Sequence, residues 1–408
     1  MPLFIVRPAT SPRDFEDAKA KMGDLPVDPD TRRVAARELI DMRKSDPRAK
    51  EIDHWIDSMD LSNAVESDWS CSNSLTRTVL VNLSHAQAGQ LEADIHDVLL
   101  FEDCPLEAPS YDRGGKPAGP IDLWHLPAVG IAEERPVVDG GAGSGVVVAL
   151  MDTGVAEHPE LSGRVVQWSR PSGLLARLRG HGSQFLPTER KDSHSHGTAM
   201  AGLIAGAKAG IAPCAEIQSF AMLPNGSGAV SDFVVALEAV ARMGSADVVN
   251  VSAGLRGAPA KYPTLAQTIA EISILPMVLV AAIGNDGAGS SRCPGNLGSV
   301  VSVGATDSGD HFWEGNGTYE DADGHSAPEF VAPGVDVFCC ELNGSLERRT
   351  GTSIAAAIAS GVIARLLWEH RGLTSTAQEI RDLARKRSRE IGGAGPKSYP
   401  LIRAASSS

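Results

Sequence analysis

Basic charge, aromatic side chains and long apolar runs are all scarce in this chain of 408 residues, and each scarcity excludes something. Lys and Arg number 37 against 51 Asp and Glu, so the formal net charge is -14 and the pI is near 5.3. Such a surface repels a phosphate backbone, and nucleic acid is not an expected partner. No apolar run reads as long enough to span a bilayer, which takes about 20 residues, so no membrane partner is expected either. The opening MPLFIVRPAT lacks a basic segment followed by an apolar signal core. Cys71, Cys104, Cys214, Cys293, Cys339 and Cys340 are scattered, and the adjacent last two make poor mutual partners. They read as reduced thiols, which fits a cytoplasmic location.

What the chain has in quantity is glycine, 42 residues, on a background 42% hydrophobic and 22% charged. That suits an α/β enzyme with tight loops approaching a ligand. The length suggests more than one domain. In residues 1–104, PLFIVRP reads as a strand, and Asp30 to Met59 as one or two amphipathic helices broken near Pro47. TRTVLVNL, then SHAQAGQLEADI with Ser84 as N-cap, then DVLLFED read as strand, helix, strand. A Pro- and Gly-rich stretch, 105–120, reads as a linker. Across 121–408, continuous apolar strands such as VVVALMD, AEIQSFAML, ADVVNVSAG, PMVLVAAIGN and VVSVGAT alternate with helices. This pattern predicts a mainly parallel sheet covered by helices on both faces, with ligands gathering at the carboxyl ends of its strands. A last helix is expected near Ser375 to Arg387, capped by Ser375 and Gln378.

Polar groups capable of chemistry fall where such a sheet would use them. Asp152 ends a buried strand in LMDTG, His196 opens a helix in SHSHGTAMAG, and Ser353 opens another in TGTSIAAAIASG. If they converge, Ser353 is the nucleophile, His196 its base, and Asp152 the group that orients the imidazole. Asn285, just past a strand in AAIGNDG, offers a side-chain amide to an oxyanion. Each residue also has a bland role: Ser353 as a helix cap, Asp152 and Asn285 as turn formers, His196 as a cap beside glycine.

The order LMDTGVAEHPEL, HGTAMAG, AAIGNDG, GTSIAAA resembles the subtilisin-like serine proteases, the subtilases, from about Trp124 to the C-terminus. The resemblance implies a subtilisin-like α/β fold and peptide-bond hydrolysis through an acyl-enzyme. It assigns Asp152, His196 and Ser353 to the triad and Asn285 to the oxyanion hole. It also makes Ser252, Ala253 and Gly254 one wall of the substrate cleft, and Ala282 and Gly284 the other. His194 competes with His196 as base, but the Gly-Thr that follows singles out His196. Ala199 and Ala357 depart from the family pattern, which usually has His or Ser and then Pro at these places. No cofactor is implied, and no structural calcium is expected after the histidine helix. The strand, helix, strand unit of 1–104 resembles a subtilase propeptide, which implies an intramolecular inhibitor and folding aid, with self-cleavage in the linker, and after an acidic residue such as Glu107 or Asp112 if Arg292 selects acidic residues.

Two features bear on substrate. Arg292 falls near the base of the pocket for the side chain preceding the cleaved bond, where a guanidinium would favour Asp or Glu; alternatively it points into solvent. The segment from Ser162 to Lys191 carries Arg164, Arg170, Arg177, Arg179, Arg190 and Lys191, and reads either as a solvated loop or as a basic flap over an acidic substrate. A catalytically silent scaffold is the competing function for the whole chain. A metal site at Asp192, His194 and His196 is a third reading.

Overall fold

The computed structural model describes residues 1–22, 24–108, 112–113, 120–132, 140–169, 185–370, 375–392 and 397–405. Its centre is a ten-stranded sheet. From one edge the strands run Arg389–Gly392, Ser398–Leu401, Phe330–Pro333, Val301–Thr306, Val278–Ala282, Val248–Val251, Val147–Asp152, Glu216–Ala221, Val165–Ser169 and Leu186–Thr188. The two outer strands pair antiparallel and all the inner pairs are parallel. Parallel strands buried on both faces need apolar residues on both, and every residue of Val248–Val251, Val278–Ala282 and Val301–Thr306 is buried.

Helices cover the two faces. On one lie His196–Ala205 and Thr352–Glu369, packed on each other and on the sheet. Thr352–Glu369 has the length and apolar composition to cross a membrane, which the sequence reading missed, but it is a core helix with only its last turn partly exposed. Its apolar character on every face comes from burial in protein. On the other face lie Val230–Met243 and Pro263–Ile272. The Val147–Asp152 strand lies between Val248–Val251 and Glu216–Ala221, so the chain leaves it toward one side and returns on the other. Such a switch point opens a crevice beyond the strand's carboxyl end, and Asp152 stands there.

The N-terminal unit is a three-stranded antiparallel sheet in which Leu3–Pro8 lies between Val79–Asn82 and Val98–Glu102. Helices Pro12–Met22, Pro29–Lys44, Pro47–Ser58 and His85–Asp94 complete it. The break near Pro47 falls between the second and third helices, with Asp46 capping the latter through Arg48 N at 2.9 Å. Ser84 caps the last in a full capping box with Gln87.

Two expectations are corrected. The stretch 105–120 is not a free linker throughout: Pro105–Glu107 pairs antiparallel with Ser227–Ala229, and Asp112–Arg113 with Arg349 and Thr350. Proline fixes an extended φ that suits an edge strand as well as a linker, so composition did not separate the two. The last helix is capped one residue later than expected. Thr376 accepts from Glu379 N at 3.1 Å and Glu379 reaches back to Thr376 N at 2.8 Å, in a helix spanning Ala377–Arg387. Ser375 precedes the cap, and its carbonyl accepts Val27 N at 2.8 Å.

Candidate active site

The geometry begins with two glycines. A Cβ on Gly154 would stand 2.2 Å from the Lys191 carbonyl oxygen, and one on Gly197 would stand 2.1 Å from the Gly154 carbonyl oxygen. The loop after Asp152 and the start of the histidine helix therefore pack backbone against backbone, which only glycine permits. Across that contact His196 Nδ1 lies 2.7 Å from Asp152 Oδ1 and 2.9 Å from Oδ2. His196 is fully buried and Asp152 1% exposed. Nδ1 facing a carboxylate assigns the proton to that nitrogen, which leaves Nε2 as the basic one.

The loop is held by Asp192, which the sequence reading considered only as a metal ligand. Oδ1 of Asp192 accepts Thr153 Oγ1 at 3.0 Å, His194 N at 2.9 Å and Ser195 N at 3.1 Å. Oδ2 accepts Thr198 N at 3.0 Å and Thr198 Oγ1 at 2.7 Å. Thr153 Oγ1 in turn accepts Gly197 N at 2.9 Å. These bonds satisfy the open N-H groups of the histidine helix and offset the strain of Ser195, whose φ is +77°. They also spend the carboxylate on protein donors, and among the described residues no His, Cys, Asp and Glu cluster has metal-binding geometry. The signal was present as an Asp four residues before the His.

Ser353 stands in the first turn of Thr352–Glu369, 2% exposed, and its Oγ makes no hydrogen bond to another described residue. A hydroxyl there faces the open N-H groups and positive end of the helix dipole. Asn285 is fixed from the same turn. Its Oδ1 accepts Thr352 N at 2.9 Å and Thr352 Oγ1 at 2.8 Å, so the amide can have only one orientation, with Nδ2 as the donor end. Thr352 Oγ1 also accepts Gly284 N at 3.2 Å, tying this wall of the cleft to the serine helix.

The remaining cleft residues also have definite places. Ser252, Ala253 and Gly254 follow the strand Val248–Val251, and Ser252 Oγ reaches Asn250 Oδ1 at 3.3 Å, while Asn250 Nδ2 donates to Ser360 Oγ at 2.9 Å. Ala282 ends its strand on the opposite side, with Gly284 two residues beyond at φ +112°. Arg292 lies between these walls: its side chain is what a Cβ on Gly284 would meet, at 3.0 Å, and its Cβ would stand 3.3 Å from one on Gly254, behind the nearer Cys293 carbonyl at 2.5 Å. It does not simply point into solvent. Nη1 donates to the Gly254 carbonyl at 3.2 Å, and Nε and Nη2 grip Asp286 at 2.9 Å and 3.3 Å. Asp286 as counter-ion was not foreseen. Ala199 and Ala357 are buried in the core. Of the proposed basic flap, Arg170, Arg177 and Arg179 lie outside the described residues; Arg190 is turned inward, donating to the Ala156 carbonyl at 2.6 Å and to Glu157 at 2.9 Å.

A buried Asp and His pair, a serine at a helix head and a fixed amide on the elements of a mainly parallel sheet are the parts that a serine-hydrolase type of site requires. The profile of the Subtilase family matches residues 143–398. Among curated proteins, M-protease of Shouchella clausii is 34% identical over 233 residues, 55% of this chain and 54% of that protein. Subtilisin Savinase of Lederbergia lenta is 33% identical over 233 residues, 55% of this chain and 77% of its own. Subtilisin-like protease 3 of Pseudogymnoascus destructans is 28% identical over 315 residues, 71% of this chain and 72% of its own. A solved cold adapted subtilisin-like serine proteinase shares the fold with a TM-score of 0.55 at 24% identity, covering 70% of this chain and 98% of its own. The match thus spans about half the length of M-protease and more of the other two. The chain belongs to the subtilase family of subtilisin-like serine proteases.

Proposed function

We propose that this chain is a serine endopeptidase that hydrolyses peptide bonds of peptide or protein substrates through an acyl-enzyme on Ser353. The observation that carries the reading is the buried bifurcated contact of Asp152 with His196 Nδ1, at 2.7 Å and 2.9 Å. It leaves Nε2 to take the Ser353 proton as Oγ attacks the substrate carbonyl carbon. Asp152 stabilises the imidazolium, and the developing oxyanion accepts hydrogen bonds from Asn285 Nδ2 and the Ser353 backbone N-H. Collapse expels the amine, which takes the proton from His196; a water then repeats the sequence on the ester. A fluorophosphonate is expected to modify Ser353 in the processed protein and to leave Ser353→Ala unmodified. A processed protein that hydrolyses peptides with Ser353 unmodified would contradict the assignment.

The N-terminal unit serves in this reading as an intramolecular inhibitor. Pro105–Glu107 lies antiparallel to Ser227–Ala229, with Ala108 N donating to the Gly226 carbonyl at 2.8 Å. Asp112 pairs with Thr350, three residues before Ser353. These two short pairings support an inhibitory role for the segment around them. Self-cleavage is then expected between Glu107 and Arg113. A preference for acidic residues before the cleaved bond is part of the reading and rests on Arg292. Because Asp286 already holds that guanidinium, an acidic substrate must exchange with it. A cytoplasmic location completes the reading, supported by Cys71, Cys104, Cys293, Cys339 and Cys340, which are free thiols.

A further inference from the structure

The contact that joins the N-terminal unit to the catalytic body differs in kind from the short strands that cross the site. One apolar cluster runs through both parts, with Ile5, Leu39 and Leu75 packed alongside Phe233, Leu237 and Ile272. An interface that resembles a core cut in half is typical of lasting assemblies. Within it, three carboxylates of the body are buried on N-terminal donors. Glu271 of Pro263–Ile272 takes Arg7 at 3.0 Å, Arg77 at 2.6 Å and Thr10 Oγ1 at 2.7 Å, and Arg43 as well. Glu238 of Val230–Met243 takes the backbone N-H groups of Leu75 at 2.8 Å and Thr76 at 3.3 Å, and the Ser74 hydroxyl at 3.2 Å. Asp247 takes Arg32 at 2.8 Å, and the rest of that guanidinium donates to the carbonyls of Gly244, Ser245 and Pro276. The segment that follows the unit, by contrast, is held among the described residues by the short strands Pro105–Glu107 and Asp112–Arg113 and by the buried Leu106.

We propose that the N-terminal unit is a lasting subunit of the enzyme and not a detachable inhibitor: after cleavage only the crossing segment leaves the site, while the unit stays docked on the helices Val230–Met243 and Pro263–Ile272. Separating the unit would wet a shared core and break charge-assisted bonds at Glu238, Asp247 and Glu271 together. Freeing the segment costs, among the described residues, the backbone bonds of those short strands and the burial of Leu106. Inhibition and docking are thereby assigned to different surfaces, and the active form is a two-piece complex. The inference rests on the proposed division of the chain but not on its catalytic activity.

The test uses the full chain with residues 114–119 replaced by the recognition sequence of an added, sequence-specific protease, in the Ser353→Ala background. The nicked protein is run by size exclusion in about 1 M salt, where exposed charges are screened beyond about 3 Å. Both pieces are expected to elute together at the volume of the whole chain; an N-terminal piece eluting alone overturns the proposal. The same nick with Ser353 intact adds a second reading, from hydrolysis of a short fluorogenic peptide. Activity in the co-eluting complex supports the proposal, and activity confined to fractions that lack the N-terminal piece overturns it. Co-elution without activity in any fraction overturns the release of the segment if Leu106→Asp restores hydrolysis in the nicked complex, and counts against the catalytic reading if it does not, so the two failures are separable.

Discussion

Asp192 positions His196 without touching a substrate, and its neighbours predict a specific signature. Asn in its place keeps the shape but presents an N-H₂ group to donors that now face an oxygen, breaking one side of the network around Thr153 and Thr198. It also removes a buried negative charge close to His196. The expected result for Asp192→Asn is a lower kcat with KM little changed. An unchanged kcat would reduce Asp192 to a fold-stabilising role. Asn285→Ala is expected to lose about 10²- to 10³-fold in kcat, the usual cost of one oxyanion donor. Asp286→Asn should release Arg292 and raise the ratio of kcat/KM for Glu over Ala before the cleaved bond; an unchanged ratio removes Arg292 from specificity. At this scale the contact of Asp152 with His196, and Asn285 held at the head of the Ser353 helix, were legible because the chemistry fixes residue type and chain order. Asp192 and Asp286 were not, because their roles exist only through partners that folding brings together.

Among the elements, the buried parallel strands were legible because each is a short apolar run bounded by glycine, asparagine or aspartate. The helix Pro12–Met22 was not, since its sequence is mostly charged and only Ala18 and Met22 belong to the core. The pairing of Pro105–Glu107 was also hidden: it depends on the edge of Ser227–Ala229, more than a hundred residues away in sequence. That pairing has a testable anchor in Leu106, 4% exposed, which lines a small apolar pocket together with Val230, Phe233 and Leu265. Leu106→Asp forfeits about 2 kcal/mol of apolar burial and adds the cost of a charge in that pocket. The uncut protein is then expected to hydrolyse a short peptide without a lag. A lag as long as in the wild type would mean that this strand does not hold the cleft closed.

For the molecule as a whole, stability at low pH reports on the joint between its two parts. Burial would raise the Glu271 carboxyl, but Arg7, Arg43 and Arg77 outweigh it and lower the pKa from 4.5 to about 2. The unfolded chain therefore binds a proton that the folded chain refuses between these values. The contribution of Glu271 is complete above about pH 4.5 and is lost as pH falls toward about 2, on the order of 3 kcal/mol in all. Glu271→Gln should abolish this part of the slope of denaturant stability against pH, and should cost about 3 to 5 kcal/mol near neutrality because three guanidinium groups lose their anion. An unaltered slope would place the acid sensitivity elsewhere. None of this joint was legible in the sequence: Arg7, Arg43, Arg77 and Glu271 form no local pattern.

The most direct measurement is the intact mass of the purified protein beside its Ser353→Ala variant after equal incubation. The account expects the wild type to divide between Glu107 and Arg113 and the variant to remain whole. Identical masses in the two, whether both cut or both whole, would contradict a self-processing protease built on Ser353.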